Sequence, residues 1–134
     1  IRHLHSGNGV STIPYFRKYG IVDTPAALSA LAALSHDSRL AAFRRLVQAG
    51  GEGLSVGELR ECLDLAPATL SAHLNVLRAA ELVEDQREGR TIRVRANYVQ
   101  MNALLAYLTE NCCAGDADCG PVPACKPRKT VARR

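Results

Sequence analysis

The stretch Pro67-Ala-Thr-Leu-Ser-Ala-His-Leu-Asn-Val-Leu-Arg-Ala-Ala-Glu-Leu-Val-Glu-Asp-Gln-Arg-Glu-Gly-Arg-Thr-Ile-Arg-Val-Arg-Ala96 changes its hydrophobic period halfway along. Leu70, Leu74 and Leu77 recur at i, i+4 and i+7, the spacing of one buried helix face. After Ala80 the period becomes twofold. Ile92, Val94 and Ala96 alternate with Thr91, Arg93 and Arg95, and Arg87-Glu-Gly-Arg90 supplies a glycine-containing turn between two short strands. A helix followed at once by an arginine-edged hairpin predicts a winged helix, mainly α with a small β-hairpin wing.

Pro67 suits the first helical position, where its missing N–H costs nothing, although Ala66 before it is a poor cap. With the leucines inward, Ala68, Thr69, Ala72 and Asn75 face outward and Ser71 and Arg78 lie on the flanks. Small and hydroxyl residues there permit close approach to a groove, and Thr69, Ser71 and Asn75 can meet phosphates or base edges; an ordinary solvated helix face has the same pattern. His73 lies beside the leucine stripe, which favours a partly buried, hydrogen-bonded ring over a ligand. Arg78, Arg87, Arg90, Arg93 and Arg95 fall within eighteen residues. An arginine on a protruding turn, as Arg87 and Arg90 would be, can enter a minor groove or clamp phosphates; charged strand faces also keep edge strands from aggregating.

Upstream, Thr24-Pro25 reads as an N-cap followed by proline at the first helical position, opening a helix of alanines and leucines to Leu34. With Leu28, Leu31 and Leu34 on one side and alanines on the other, it has more than one face to cover, one for the core and one for a second subunit. A second helix begins at Asp37 or Ser38, carries Leu40, Phe43, Leu46 and Val47 inward and ends at Gly50-Gly51. Ser55-Val-Gly-Glu58 is a capping box that opens a short helix, on which Cys62 is expected to be a buried thiol. This helix, a tight turn and the helix from Pro67 make a helix-turn-helix, whose second helix enters the major groove. Downstream, Asn97 can cap a helix from Tyr98 to about Asn111 with Met101, Leu104, Leu105 and Leu108 as its stripe. The first and last helices together form the expected dimer seam.

The 134 residues, 47% of them hydrophobic, suit a single domain over 24–113, preceded by a leader or flexible segment at 1–23 and followed by a loop and basic tail at 114–134. No run approaches the ~18 apolar residues of a membrane span and no secretory signal pattern is visible, so the expected location is cytoplasmic. The net charge of +4 is misleading. Lys126, Arg128, Lys129, Arg133 and Arg134 lie in the last nine residues, and residues 1–125 hold 12 basic against 13 acidic side chains. Only the arginines around the hairpin therefore speak for nucleic acid. Neither a glycine-rich phosphate loop nor a Cys-x-x-Cys pair is present, which argues against an enzyme.

Five cysteines, two of them adjacent, make an awkward disulfide framework. Cys112, Cys113 and Cys119 stand together as Asn-Cys-Cys-Ala-Gly-Asp-Ala-Asp-Cys, and Gly115 lets the loop fold back. Three thiolates suit a soft ion that prefers a three-coordinate pyramid, such as trivalent arsenic or antimony. Zinc or cadmium would draw a fourth ligand from Cys125, an aspartate or a histidine. The vicinal pair also admits a thiol-redox response.

The run Leu34-Ser-His-Asp-Ser-Arg39-Leu40, the pattern Leu-x-x-Ala-x-Leu-Ser71-x-His73-Leu74-x-x-Leu77-x-x-Ala80-x-Leu82-Val83 and the Arg87-Glu-Gly-Arg90 wing resemble the ArsR family of metalloregulatory winged-helix repressors over about residues 24–113. The resemblance implies a homodimer that binds operator DNA and lets go when an inducer binds. It places Ser71 and its neighbours in the recognition helix and Arg90 on the wing. It implies that the Cys-Cys-x5-Cys run is similar to the arsenite site of one branch, with Cys112, Cys113 and Cys119 as ligands. The cysteine pair that other members carry before the recognition helix is absent from Ser55–Glu61, and Asn97–Asn111 lacks the Asp and His ligands of zinc-sensing members.

Overall fold

The structure is a computed structural model and describes residues 22–110. Five helices and three strands follow one another: α1 (Thr24–Leu34), α2 (Asp37–Ala49), a 3-10 turn (Gly50–Glu52), β1 (Leu54–Ser55), α3 (Val56–Leu63), α4 (Pro67–Ala79), β2 (Val83–Glu88), β3 (Thr91–Ala96) and α5 (Tyr98–Leu108). This is the expected winged helix-turn-helix. Residues 1–21 of the expected leader at 1–23, the cysteine cluster and the basic tail lie outside the described residues.

Helix α1 starts one residue earlier than Thr24-Pro25 suggests. Asp23 is its cap, accepting the Ala26 N–H at 2.9 Å, while the Thr24 hydroxyl pairs with the Tyr107 hydroxyl and ties α1 to α5. The alanines, Ala27, Ala30 and Ala33, are the buried face. Their short side chains let α1 lie close against the core, and the larger Leu28 and Leu31 point outward. In α2, Phe43 and Leu46 are buried as expected, but Leu40 is exposed because Ala42, Phe43 and Leu46 define the inward stripe and Leu40 falls beyond its edge.

Ser55 and Glu58 form the capping box on α3, with reciprocal bonds of 3.1 and 2.8 Å. Cys62 is exposed, not buried. The inward stripe of this short helix runs through Val56, Leu59 and Leu63, and Cys62 falls beyond its edge. Asp64 closes α3 in the left-handed region, and the chain turns through Leu65 and Ala66 into α4. Leu70, Leu74 and Leu77 are all buried. The C-terminus of α4 is a Schellman motif in which Glu81 N–H bonds Arg78 C=O at 2.9 Å and Leu82 N–H bonds Leu77 C=O at 3.0 Å. Glu81, at φ 61, makes the reversal that sends the chain into the wing.

The sheet has the order β1-β3-β2, antiparallel throughout, with Val83 opposite Ala96 and Glu88 opposite Thr91. Gly89 and Arg90 form the two-residue turn, with Gly89 at φ 61. Val94 and Ala96 face the core; Ile92, nearer the tip, is exposed. Asn97 caps α5 through Gln100 N–H, and the helix ends at Leu108, short of the expected Asn111. Leu104 is buried, Met101 packs against the core from a half-buried position, and Leu108 is exposed. Among the described residues no helix is long and apolar enough to cross a membrane.

Candidate nucleic-acid interface

The outward face of α4 is what the leucine spacing dictates once Leu70, Leu74 and Leu77 are packed away. Ala68, Thr69, Ser71, Ala72 and Asn75 are all exposed. The N-terminus of α4 carries no side-chain cap, so the first-turn N–H groups are not occupied by Ala66. His73 is half-buried, its ring 4.6 Å from that of His36. Its pKa is held below the ordinary imidazole value, first by burial and then by the neighbouring His36 and Arg39. His36 in turn caps α2 by accepting the Ser38 N–H at Nδ1, and Arg39 donates from Nε to the Ala33 carbonyl at the end of α1. The residues around His73 therefore tie the end of α1 and the start of α2 to the middle of α4.

The arginines divide by what they touch. Arg87 and Arg90, at and beside the wing tip, are exposed, and their side chains make no ion pair or hydrogen bond among the described residues. Arg93 is turned the other way. Its guanidinium donates to the Glu52 and Gly53 carbonyls, each at 2.9 Å, and lies 3.6 Å from the Glu58 carboxylate. It fastens the wing to the loop before α3. Arg95 pairs with Glu84 at 2.8 Å and with Gln86 at 3.0 Å across the hairpin. Arg78 bridges α4 and the wing, donating to Asn75 Oδ1 at 3.0 Å and from Nε to Asp85 Oδ1 at 3.1 Å. The sequence pattern groups all five arginines; the fold leaves two of them unengaged. No local spacing links Arg93 to residues 40 positions away, and only the i, i+3 step from Asn75 to Arg78 could be read from sequence.

A domain family described as helix-turn-helix matches residues 34–86. An ArsR-like transcriptional regulator from Rhodococcus sp. RHA1 is 32% identical, with a TM-score of 0.57 over 63% of this chain and 76% of that one. The chain belongs to the ArsR family. HlyU from Vibrio cholerae N16961 is also 32% identical, with a TM-score of 0.52 over 63% of this chain and 92% of that one. The biofilm growth-associated repressor of Agrobacterium fabrum is 45% identical over 65 residues, 48% of this chain and 53% of the relative. The chain thus spans about half the length of that curated relative. These relatives are regulators of transcription, not enzymes.

Among the described residues of this ArsR-family chain, no three His, Cys, Asp or Glu side chains come together as a metal site. The predicted ligands Cys112, Cys113 and Cys119 lie outside them. A depression of about 220 Å³ lined by Asp37, Ser38, Ala41, Leu63 and Leu65 is smaller than ordinary ligand pockets of roughly 300–1,000 Å³.

Proposed function

We propose that the protein is a transcriptional repressor that binds operator DNA as a homodimer and dissociates when trivalent arsenic or antimony binds Cys112, Cys113 and Cys119. One observation carries the DNA-binding part. The exposed face of Ala68, Thr69, Ser71, Ala72 and Asn75 stands on the second helix of a helix-turn-helix, followed by a wing whose outer arginines, Arg87 and Arg90, are unpaired among the described residues. In this reading α4 enters the major groove and the two wing arginines contact phosphates or the minor groove. Arg78 and Arg93 support the reading surface: one braces the helix against the wing and the other anchors the wing's base.

The homodimer rests on apolar surface left uncovered. Leu28 and Leu31 on α1 are 61% and 40% exposed, and Val99 and Leu108 on α5 are 50% and 54% exposed. These two helices pack against each other and are joined by the Thr24–Tyr107 hydroxyl pair. The seam that they form with a second copy would hold two recognition helices about one DNA turn (~34 Å) apart.

The inducer assignment rests on the donor set in the sequence. Three thiolates match a soft three-coordinate ion without a further ligand, whereas zinc would have to draw a fourth from Cys125, an aspartate or a histidine, and a cytoplasmic setting would keep the thiols reduced. Cys112 follows the end of α5 by four residues, so anchoring the cysteine loop acts on a dimer helix. Release requires only that the liganded dimer favour the DNA-incompetent arrangement, with couplings of ~1–3 kcal/mol being typical.

The test is fluorescence anisotropy of a labelled fragment from upstream of the protein's own gene, titrated separately with arsenite, zinc and cadmium, and peroxide. Arsenite alone is expected to lower the anisotropy, and C112S/C113S protein is expected to bind equally well and no longer release. Release by zinc, cadmium or peroxide alone would replace the inducer with a four-ligand metal or a thiol-redox signal. Absence of DNA binding would overturn the repressor reading.

A further inference from the structure

Given that α4 enters the major groove as proposed, we infer that its outward face selects thymine through the C5-methyl group of that base, with Ala68, Thr69, Ala72 and Val76 as the contacting side chains. The face is marked first by what it lacks. No exposed residue from Pro67 to Val76 is charged. Arg78 is the one arginine or lysine of α4, and it is already committed: it donates to Asn75 Oδ1 at 3.0 Å, and its Nε and a terminal nitrogen each lie 3.1 Å from Asp85 Oδ1. The helix therefore offers no free cation to take guanine O6 and N7 in the bidentate way by which arginine and lysine read that base. The hydroxyls of Thr69 and Ser71 bond either kind of base edge and so discriminate weakly.

What the face does offer is apolar. Ala68, Ala72 and Val76 recur at i, i+4 and i+8, a single row on the side of α4 away from the buried Leu70, Leu74 and Leu77, and Thr69 stands beside it. An isolated exposed valine is ordinary. Val76, 40% exposed, instead continues a row that already faces outward. Thymine C5-methyl is the apolar group that a base pair sets in the major groove, and alanine and the threonine methyl are side chains that meet it. Methyl against methyl removes both from water. A polar base edge against the same row gives up its water without gaining a partner.

The test starts from duplexes selected by the full chain out of a pool randomised over about three helical turns, about 30 bp. Each thymidine of a selected duplex is then replaced singly by deoxyuridine, which lacks only the C5-methyl group. Wild type is expected to lose about two- to fivefold in affinity at one or more positions of each half-site, the scale of one buried methyl group. The same duplexes are titrated with Thr69→Ser, which deletes a methyl and keeps the hydroxyl, and with Val76→Ala. At one or more of those positions a variant is expected to bind the thymidine and deoxyuridine duplexes equally, the non-additive result of a direct contact. The inference fails if the selected half-sites hold no thymine, if wild type tolerates every deoxyuridine, or if both variants keep the full sensitivity at every position. Failure of the wild-type chain to enrich any duplex would overturn DNA binding itself, and this inference with it.

Discussion

At Gly53 a single hydrogen atom decides whether the wing can dock. Its φ is +65, and a Cβ built there would meet the Val94 carbonyl oxygen at 2.2 Å, a backbone atom that cannot swing aside. Gly53→Ala is therefore expected to destabilise the domain by roughly 2 kcal/mol or more, read as a lower midpoint in thermal or urea unfolding. His73 gives a second prediction. Burial, His36 and Arg39 depress its folded-state pKa below the ordinary value of 6.5, so the folded form binds a proton less readily than the unfolded chain. Its contribution is complete above the unfolded pKa and is lost as pH falls through the folded value. Between about pH 7.5 and about pH 5 the melting temperature should fall, and His73→Gln should flatten that slope; an equal slope in both proteins would exclude His73 as its source.

Among the elements, the wing combines two kinds of arginine that respond differently to substitution. Arg87 and Arg90 are unpaired among the described residues, so replacing both with alanine is expected to leave the melting temperature nearly unchanged. The same change should weaken binding uniformly across DNA sequences and lower the slope of log affinity against log salt by about one for each phosphate no longer neutralised. Arg93→Ala is expected to do the reverse, lowering stability through the two freed carbonyls of Glu52 and Gly53 with little effect on the salt slope. What was legible in the sequence follows the same division. The leucine stripe of α4, the capping box on α3, the Asn97 cap and the hairpin are local patterns, set by residues within about one turn or one strand pair, and the structure has each of them. The inward alanines of α1, the exposed Leu40 and the exposed Cys62 depend on which neighbour each helix meets, which periodicity alone does not contain. Arg93 resembles a groove-facing charge in the sequence for the same reason, since its partners are 40 and 41 residues away. The exposed face of α4 that is proposed to meet DNA was legible because burying three leucines leaves only one face to the outside. The cysteine cluster was legible only as donor chemistry.

For the whole molecule the proposed dimer makes the most exacting prediction, because its surface can be changed without touching the core. Leu28 and Leu31 project from α1 while Ala27, Ala30 and Ala33 hold that helix to the domain. A Leu28→Glu/Leu31→Glu protein should thus keep its helical circular dichroism and its protomer fold. Two carboxylates from each copy would meet across the seam without cations to pair with, and the cost of burying them unpaired exceeds what the remaining apolar surface of the seam can offset. Sedimentation is expected to show a monomer where the wild type is a dimer. Each monomer retains α4 and its wing, so binding to one half-site survives, but engagement of the second half-site is no longer intramolecular. Affinity for a two-half-site duplex should then drop by roughly 10²- to 10⁴-fold, the range typical of abolished bivalency. Binding to an isolated half-site should change little. A variant that remains dimeric would place the seam elsewhere, and a monomer that holds the full duplex as tightly as wild type would separate DNA recognition from dimerisation altogether.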